Sequence, residues 1–306
     1  MRVLIIGYGS IAQKHINALK TIKENVEFVV LRSSKNSLQI NEENIKSIFD
    51  ISDLEFTPNF IIISNPTFLH YQTICNCLFL KCPIIIEKPV LTNNDFSLEL
   101  SQKILQSNVS TYIACNLRFH PVIKFLKNCI ELKTKNIQEV NVYCGSYLPN
   151  WRPGKNFKEI YSANEEMGGG VHLDLIHEID YCIWLFGEPI KTLSVKTSKS
   201  NLKISSIDNA IYICEYSNYN ININLNYYRI NTKRTIEILF EDDVWQVDLV
   251  KATIQNSKDE IVFSSSFTMQ DTYVEQAKYF LQKIENGEKM MNDFDEATKI
   301  LQIALH

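Results

Sequence analysis

The chain has 306 residues, 45% hydrophobic and 22% charged, with a formal net charge of −4. These are globular proportions, which exclude a disordered, collagen-like or fibrous chain, and the length suits one large domain or two of ordinary size. The slight acidity argues against a surface built for nucleic acid or an anionic membrane, yet leaves room for a local basic site for a small anion. No run approaches the roughly 20 apolar residues of a membrane span. The first apolar stretch, Val3–Ile6, is too short for a signal-peptide core, so a cytoplasmic location is expected. The cysteines, 8 in number, offer no Cys-x-x-Cys pair and no paired histidine spacing. They are read as buried or idle thiols, and no metal site is expected.

The first part of the chain alternates strand and helix patterns. Arg2–Ile6 is a short apolar run ended by Gly7, the pattern of a buried strand. A helix is predicted over Ile11–Lys23, with Ile11, His15, Ala18, Leu19 and Ile22 on one face. Strands are then predicted at Val26–Leu31, Phe60–Ser64, Ile84–Ile86 and Thr111–Ala114. Helices are predicted at Asn41–Phe49, His70–Leu80 and Phe96–Gln106. Such alternation implies a parallel sheet covered on both faces.

After a helix over residues 122–132 the pattern changes. β-rich runs appear at Gln138–Ser146, Ile190–Thr197, Ala210–Tyr216, Ile221–Tyr228, Thr235–Phe240 and Val244–Val250. One helix interrupts them, from about Gly170 to Phe186, and the tail is helical over Tyr273–Ile284 and Asp295–Ala304. The expected fold class is α/β, with a dinucleotide-binding domain at residues 1–118. An α+β domain with an open, largely antiparallel sheet follows at residues 119–306, and its last helices can pack back on the first domain.

Gly7-Tyr8-Gly9-Ser10-Ile11-Ala12 follows the first strand and opens the first helix. This is the Gly-x-Gly-x-x-Gly/Ala form of a dinucleotide-binding turn. Gly7 permits the tight turn, Gly9 lets backbone approach a pyrophosphate, and Ala12 permits close packing of helix on strand. The helix N-terminus then presents N–H groups and a positive dipole end to the phosphates. NAD binders usually carry a carboxylate at the end of the second strand for the ribose 2′-hydroxyl. Here that segment reads Leu31-Arg32-Ser33-Ser34-Lys35. Arg32 can pair with a 2′-phosphate, Ser33 and Ser34 can donate to it, and Lys35 adds charge. The cofactor expected is NADP(H), with NAD(H) as the alternative.

Glu87-Lys88-Pro89 follows a buried strand, where an open parallel sheet places its ligands. An ammonium group there can point into the cofactor crevice. Taken with Gly7-x-Gly9-x-Ile11-Ala12 and His15, with Ser64-Asn65-Pro66-Thr67 and His70, and with Gly168-Gly169-Gly170 followed by Asp174, His177, Asp180 and Trp184, this element resembles the Gfo/Idh/MocA oxidoreductase family. The tail, with Phe280-Leu281, Ile284 and Gly287, is similar as well. The resemblance implies a Rossmann domain followed by an open-sheet domain, as in glucose-6-phosphate dehydrogenase. It also implies hydride transfer between NAD(P) and a sugar, polyol or sugar nucleotide. Asn65, Pro66, Thr67, His70, Glu87 and Lys88 would join Gly7, Gly9, Ser10, Ile11, Ala12, Arg32, Ser33 and Ser34 around the cofactor. His15 and His70 receive no chemistry.

The resemblance also implies roles. Lys88 matches the family lysine that hydrogen-bonds the reacting oxygen, where a cation stabilises developing alkoxide. His177 matches the general acid/base, and imidazole suits proton transfer near neutral pH. Asp174, three residues earlier and on the same face of a continuous helix, would orient that histidine or bind a neighbouring hydroxyl. The usual family spacing is Asp-x-x-x-His, whereas this chain has Asp174-x-x-His177, one residue shorter. Asp180 is read as a support behind the site or a helix–helix contact rather than a catalytic group.

Arg118, in Asn116-Leu117-Arg118, either meets a substrate anion or ties the two domains together. Tyr147, Trp151 and Arg152 share a proline-containing loop. Aromatic faces there can stack on sugar rings or bases, and arginine can pair with phosphate or carboxylate. His172 lies close enough in sequence to serve as a substrate contact. Trp151-Arg152-Pro153 with Tyr161-Ser162-Ala163 and His177-Glu178-Ile179-Asp180 resembles a branch of the family associated with bacterial surface-polysaccharide and nonulosonic sugar pathways. The substrate expected is thus a sugar or sugar nucleotide. Two alternatives stand beside it: a non-catalytic nicotinamide-sensing regulator, and an enzyme that recycles its cofactor internally for isomerisation, elimination or hydrolysis. The open sheet should bury one face against something, and the resemblance implies that this is another subunit, so a homodimer or homotetramer is expected.

Overall fold

The computed structural model describes residues 1–34, 40, 42–132 and 135–306. It divides into two compact units, one of Met1–Asn116 with Thr268–Leu301, the other of Leu117–Phe267 with Gln302–His306. Among the described residues no helix is long and apolar enough to cross a membrane.

The first unit is a doubly wound sheet. In chain order it runs β1 (Arg2–Ile6), α1 (Ser10–Ile22), β2 (Glu27–Leu31), β3 (Ile45–Ile48), β4 (Phe60–Ile63), α2 (His70–Cys77), β5 (Ile84–Ile86), α3 (Ser97–Ser107) and β6 (Thr111–Ile113). All six strands are parallel, in the order β3-β2-β1-β4-β5-β6. Val3–Ile6, Phe60–Ile63 and Ile84–Ile86 are buried throughout, as strands covered on both faces must be. The order reverses between β1 and β4, and at such a switch point the carboxyl ends of the strands leave a crevice.

The predicted helix at Asn41–Phe49 is corrected. Asn41 lies outside the described residues, and Ile45–Ile48 forms β3, paired in parallel with β2. Ile45 and Ile48 are both buried, and their spacing of three fits a helix face as well as an irregular edge strand. Pairing with β2 decides between the two, and no local pattern records it.

The second unit begins with α4 (Pro121–Glu131) and β7 (Ile137–Tyr147), followed by the short helix α5 (Val171–Asp174) and by α6 (His177–Phe186). Strands β8 (Lys191–Thr197), β9 (Asn209–Glu215), β10 (Asn220–Asn226), β11 (Tyr228–Phe240), β12 (Val244–Asp248), β13 (Thr253–Gln255) and β14 (Ile261–Ser264) complete it. Its eight strands run β14-β13-β12-β11-β7-β10-β9-β8, antiparallel except for the parallel pair β7–β10. One face buries Val140, Val142, Ile221, Ile223, Ile236 and Ile238. The opposite face carries a polar row, in which Asn222 donates to Asn141 and Asn141 donates to Glu237. Beside that row Leu193, Val195 and Ile213 are exposed. The two short strands β13 and β14 were not anticipated from the sequence.

Helices α7 (Met269–Asn286) and α8 (Phe294–Leu305) close the chain. A capping box of Thr268 and Asp271 starts α7, and Gly287 in the left-handed region ends it. Within the first unit α7 packs on α1, and Phe280 meets Phe60 edge-on at 5.0 Å. Asn292 exchanges bonds with Ile113, which covers the outer edge of β6.

The helix expected from Gly170 to Phe186 is broken. Leu175 leaves helical geometry (φ −100°, ψ 31°), so Asp174 ends α5 and His177 starts α6. The argument that the two side chains share one helix face therefore fails.

His120 caps α4: its Nδ1 accepts the Val122 N–H at 3.3 Å. Burial, with the Arg234 charge nearby, lowers its pKa to about 4 against the Leu249 carbonyl contact, and burial does the same for His172. Both rings fold in the neutral form, so their contribution is complete above pH 6.5. It is lost as pH falls toward 4, because the unfolded chain takes the protons first. The expected loss is on the order of 1–3 kcal/mol per histidine. Urea midpoints at pH 7.5 and pH 4.5 check this. His120→Asn keeps a capping acceptor without the titration and should lose less; an unchanged acid loss would contradict the assignment.

Candidate active site

The first unit places its candidate residues on turns at the carboxyl edge of the sheet. Gly7 has φ +89°, and a Cβ there would lie 2.9 Å from the Asn65 backbone, so the turn after β1 abuts the turn after β4. Only glycine fits that position without strain. Gly9 differs: a Cβ there would meet nothing within 4 Å. Its smallness is not demanded by the protein itself, and the space in front of it is open to a ligand. Gly9 caps α1, with no side-chain cap and no acidic residue in the first turn. The first N–H groups of a helix have no intrahelical acceptor, and here they adjoin that space. Asn65 Oδ1 is buried with no hydrogen-bond partner among the described residues, while Asn65 Nδ2 donates to Thr73 at 2.8 Å. Open space and unspent helix-end donors together fit a dinucleotide pyrophosphate, whereas the orphaned Asn65 Oδ1 only accepts and suits a hydroxyl or amide donor elsewhere on such a cofactor.

Arg32, at the end of β2, holds its guanidinium over the Tyr8 ring at 5.8 Å, and its N–H bonds the Ile48 carbonyl. Ser33 and Ser34 are exposed, and Lys35 lies outside the described residues. Pro66 is exposed and Thr67 half-buried on the turn after β4.

Lys88 is half-buried on the turn after β5. Its neighbour Glu87 places Oε1 2.6 Å from His15 Nε2, and the His15 ring meets Tyr273 edge-on at 5.4 Å. His70 is fully buried, with Nδ1 3.1 Å from the Val90 carbonyl and Nε2 3.1 Å from the Asn65 carbonyl. The ring that the sequence assigned to the cofactor is thus turned into the protein, between two backbone carbonyls. Its contribution to a cofactor would run through the turns it touches.

In the second unit the glycine run brings distant chain together. A Cβ at Gly169 would lie 2.1 Å from the Tyr161 carbonyl, so the 161–164 turn sits directly on the start of α5. Tyr161 consequently reaches Asp174, donating to Oδ1 at 2.6 Å, while Tyr227 donates to Oδ2 at 2.5 Å. Burial and the adjacent carboxylate push both phenols well above their ordinary pKa, so both remain donors. Trp151 stands perpendicular to Tyr227 at 5.3 Å and donates to Ser146. The exposed Arg152 lies over Tyr161 at 5.9 Å. Tyr147 is half-buried at the end of β7, opposite Tyr228. Trp151, Arg152 and Asp174 are therefore joined through two tyrosines, of which Tyr227 was missed by the sequence reading.

Helix α6, which opens with His177, is fastened from beneath. Glu178 is fully buried and pairs with Arg234 of β11 at 2.7 Å. Asp180 pairs with Arg118 at 2.8 Å, both side chains 0% exposed, and Trp184 lies under the guanidinium at 5.8 Å. Arg118 is bidentate on Asp180 and fully buried, so it is corrected from a substrate contact to a tie within the second unit. A fully desolvated guanidinium needs such a partner. His172 is buried, its Nδ1 without a hydrogen-bond partner among the described residues. Arg234 was also missed: it lies 56 positions downstream of Glu178 on an otherwise ordinary strand.

Residues 1–111 match the NAD-binding Rossmann model of the Gfo/Idh/MocA oxidoreductase family, and residues 131–239 match its C-terminal alpha/beta model. The chain belongs to the Gfo/Idh/MocA oxidoreductase family. A myo-inositol 2-dehydrogenase of Thermotoga maritima is 22% identical over 307 residues, covering 94% of this chain and 89% of that protein. Among solved structures, UDP-N-acetylglucosamine 3-dehydrogenase GnnA of Acidithiobacillus ferrooxidans superposes with a TM-score of 0.81 at 18% identity, over 100% of this chain and 95% of that one. The WlbA dehydrogenase of Bordetella pertussis, solved with NADH and UDP-GlcNAcA, gives 0.82 at 17% identity, over 99% and 94%. These likenesses are to the fold, and this family member is an oxidoreductase with an NAD-binding Rossmann domain.

The two glycines predict opposite failures. Gly9→Ala should keep the wild-type melting temperature yet weaken binding of the reduced nicotinamide nucleotide, NADH or NADPH, at least about 10-fold, read by nucleotide fluorescence. Gly7→Ala should cost about 1–3 kcal/mol of stability through its positive φ. Unaltered affinity for whichever nucleotide the wild type binds would remove the cradle.

Proposed function

We propose that this chain is an NADP(H)-dependent dehydrogenase acting on a hydroxyl-bearing carbon, or the corresponding keto carbon, of a sugar or sugar nucleotide. The observation that carries the reading is Lys88 on the same carboxyl sheet edge as the open Gly9 cradle. The names of the relatives, inositol and UDP-sugar dehydrogenases, support the substrate class. Arg32 on Tyr8, with two serines and no carboxylate at the end of β2, supports the 2′-phosphate of NADP(H).

When bound, the nicotinamide accepts or supplies the hydride. Lys88 donates a hydrogen bond to the reacting oxygen, and its charge favours alkoxide character there. His177 takes the hydroxyl proton during oxidation and returns it during reduction. The buried pairs Glu178–Arg234 and Asp180–Arg118 hold the helix that presents it. Asp174, oriented by Tyr161 and Tyr227, accepts from a neighbouring substrate hydroxyl, and the vacant Nδ1 of His172 accepts or donates alongside. Tyr147 and Trp151 supply ring faces for a sugar or base, and Arg152 pairs with a phosphate or carboxylate. The exposed Leu193, Val195 and Ile213 on the open sheet face support association with a second copy of the chain.

The test is nicotinamide absorbance against a panel of free and nucleotide-linked sugars, with NADP(H) and NAD(H). Turnover with one sugar should fall about 100-fold or more in Lys88→Met and in His177→Asn. Arg32→Ala should weaken NADPH binding about 10-fold or more while changing NADH little. Cofactor binding without net turnover on any sugar would favour the sensor or the internally recycled cofactor. Equal loss of both nucleotides in Arg32→Ala would remove the NADP(H) preference.

A further inference from the structure

His15 and His70 have no part in the chemistry above, yet both are buried in the first unit and both touch the turn that carries Lys88. Upstream of Lys88, Glu87 is held by His15 from α1, the helix whose N-terminus forms the cradle. Downstream, the Val90 carbonyl is held by His70. The other nitrogen of His70 meets the carbonyl of Asn65, the residue whose backbone closes on Gly7. Each arm of the Lys88 turn is thus linked, through one histidine, to an element of the dinucleotide cradle.

A carbonyl only accepts, and a neutral imidazole carries one N–H. Burial holds His70 below its ordinary pKa, so at neutral pH the ring donates to one of its two carbonyls and meets the other by packing alone, a spacer one imidazole wide between the two turns. The His15–Glu87 contact is short and nearly buried, and Tyr273 of α7 closes over the His15 ring. Neither histidine is required by a turn or a strand pairing. Both links run between segments far apart in sequence, 72 residues for His15–Glu87 and 20 for His70–Val90.

We propose that His15 and His70 are positioning residues that set the Lys88 ammonium against the bound cofactor by tying both arms of its turn to the dinucleotide cradle. This rests on the reading that Lys88 meets the cofactor. A displacement of about 1 Å in such a group is enough to cost about 100-fold in rate.

The experiment is a double-mutant cycle on NADPH affinity, read by nucleotide fluorescence without any sugar, with urea midpoints as the control for folding. His70→Leu removes both contacts. His70→Asn keeps an amide donor near the place of Nδ1. His15→Leu and His15→Gln make the parallel pair at the other arm. Lys88→Met and each Leu variant should weaken NADPH about 10-fold singly, and the double variants no further, because the histidines act through Lys88. His70→Asn and His15→Gln should return to within about 3-fold of wild type.

Losses that multiply in the double variants, with Lys88→Met clearly impaired, would overturn the positioning role and leave Lys88 in place. The same holds for Leu variants whose affinity is unchanged. If Lys88→Met itself binds NADPH as wild type does, the contact of Lys88 with the cofactor fails, and this inference fails with it. A histidine that only stabilises the fold would lower the urea midpoint equally in both Lys88 backgrounds, and its effect on affinity would multiply.

Discussion

A carboxylate taken out of water must find a partner or give up its charge, and this demand organises both units. Glu87 meets His15, Asp174 meets two tyrosine hydroxyls, Glu178 meets Arg234 and Asp180 meets Arg118. Lys88 follows the first of these acids directly. His177 stands among the other three, on a helix that begins immediately after a break. The fold thus places these carboxylate contacts next to Lys88 and His177 in the chain. Replacing such a pair with apolar packing is often neutral for stability, so the value of these pairs lies in fixed direction.

The glycines divide along the same line. Gly7 and Gly169 are small because backbone lies against them, and they lock turns that bring remote segments into register. Gly9 is small with no protein atom near its missing side chain. A position that the fold leaves open, beside helix-end N–H groups, is shaped for something that arrives later. Together with the reversal of strand order between β1 and β4, it places a dinucleotide where open parallel sheets ordinarily receive one.

What was legible in the sequence was local. The strand–glycine turn–helix opening, the buried Ile84–Ile86 run before Lys88 and the alternation of the second sheet each carry their signal within a dozen residues. Where pairing decides, the sequence was silent: Ile45–Ile48 became a strand because β2 lay beside it. The break at Leu175 was hidden because the surrounding residues keep an apolar helical pattern. The partners of the site were the least visible. Tyr227 and Arg234 lie on ordinary strands, and only the folded sheet carries them to Asp174 and Glu178. Arg118 carried a charge that looked available, and Asp180, 62 positions away, had already taken it.

The central claim is hydride transfer between a nicotinamide and a sugar carbon. It is tested most directly by incubating the protein with NADPH carrying deuterium at both nicotinamide C4 positions and with keto sugars and keto sugar nucleotides, followed by mass spectrometry of the sugars. The account predicts one product alcohol that is one deuterium heavier, formed with stoichiometric NADP⁺ and absent in Lys88→Met. A reduced sugar that carries no deuterium, or no reduced sugar at all in protein shown to bind the cofactor, would contradict the account.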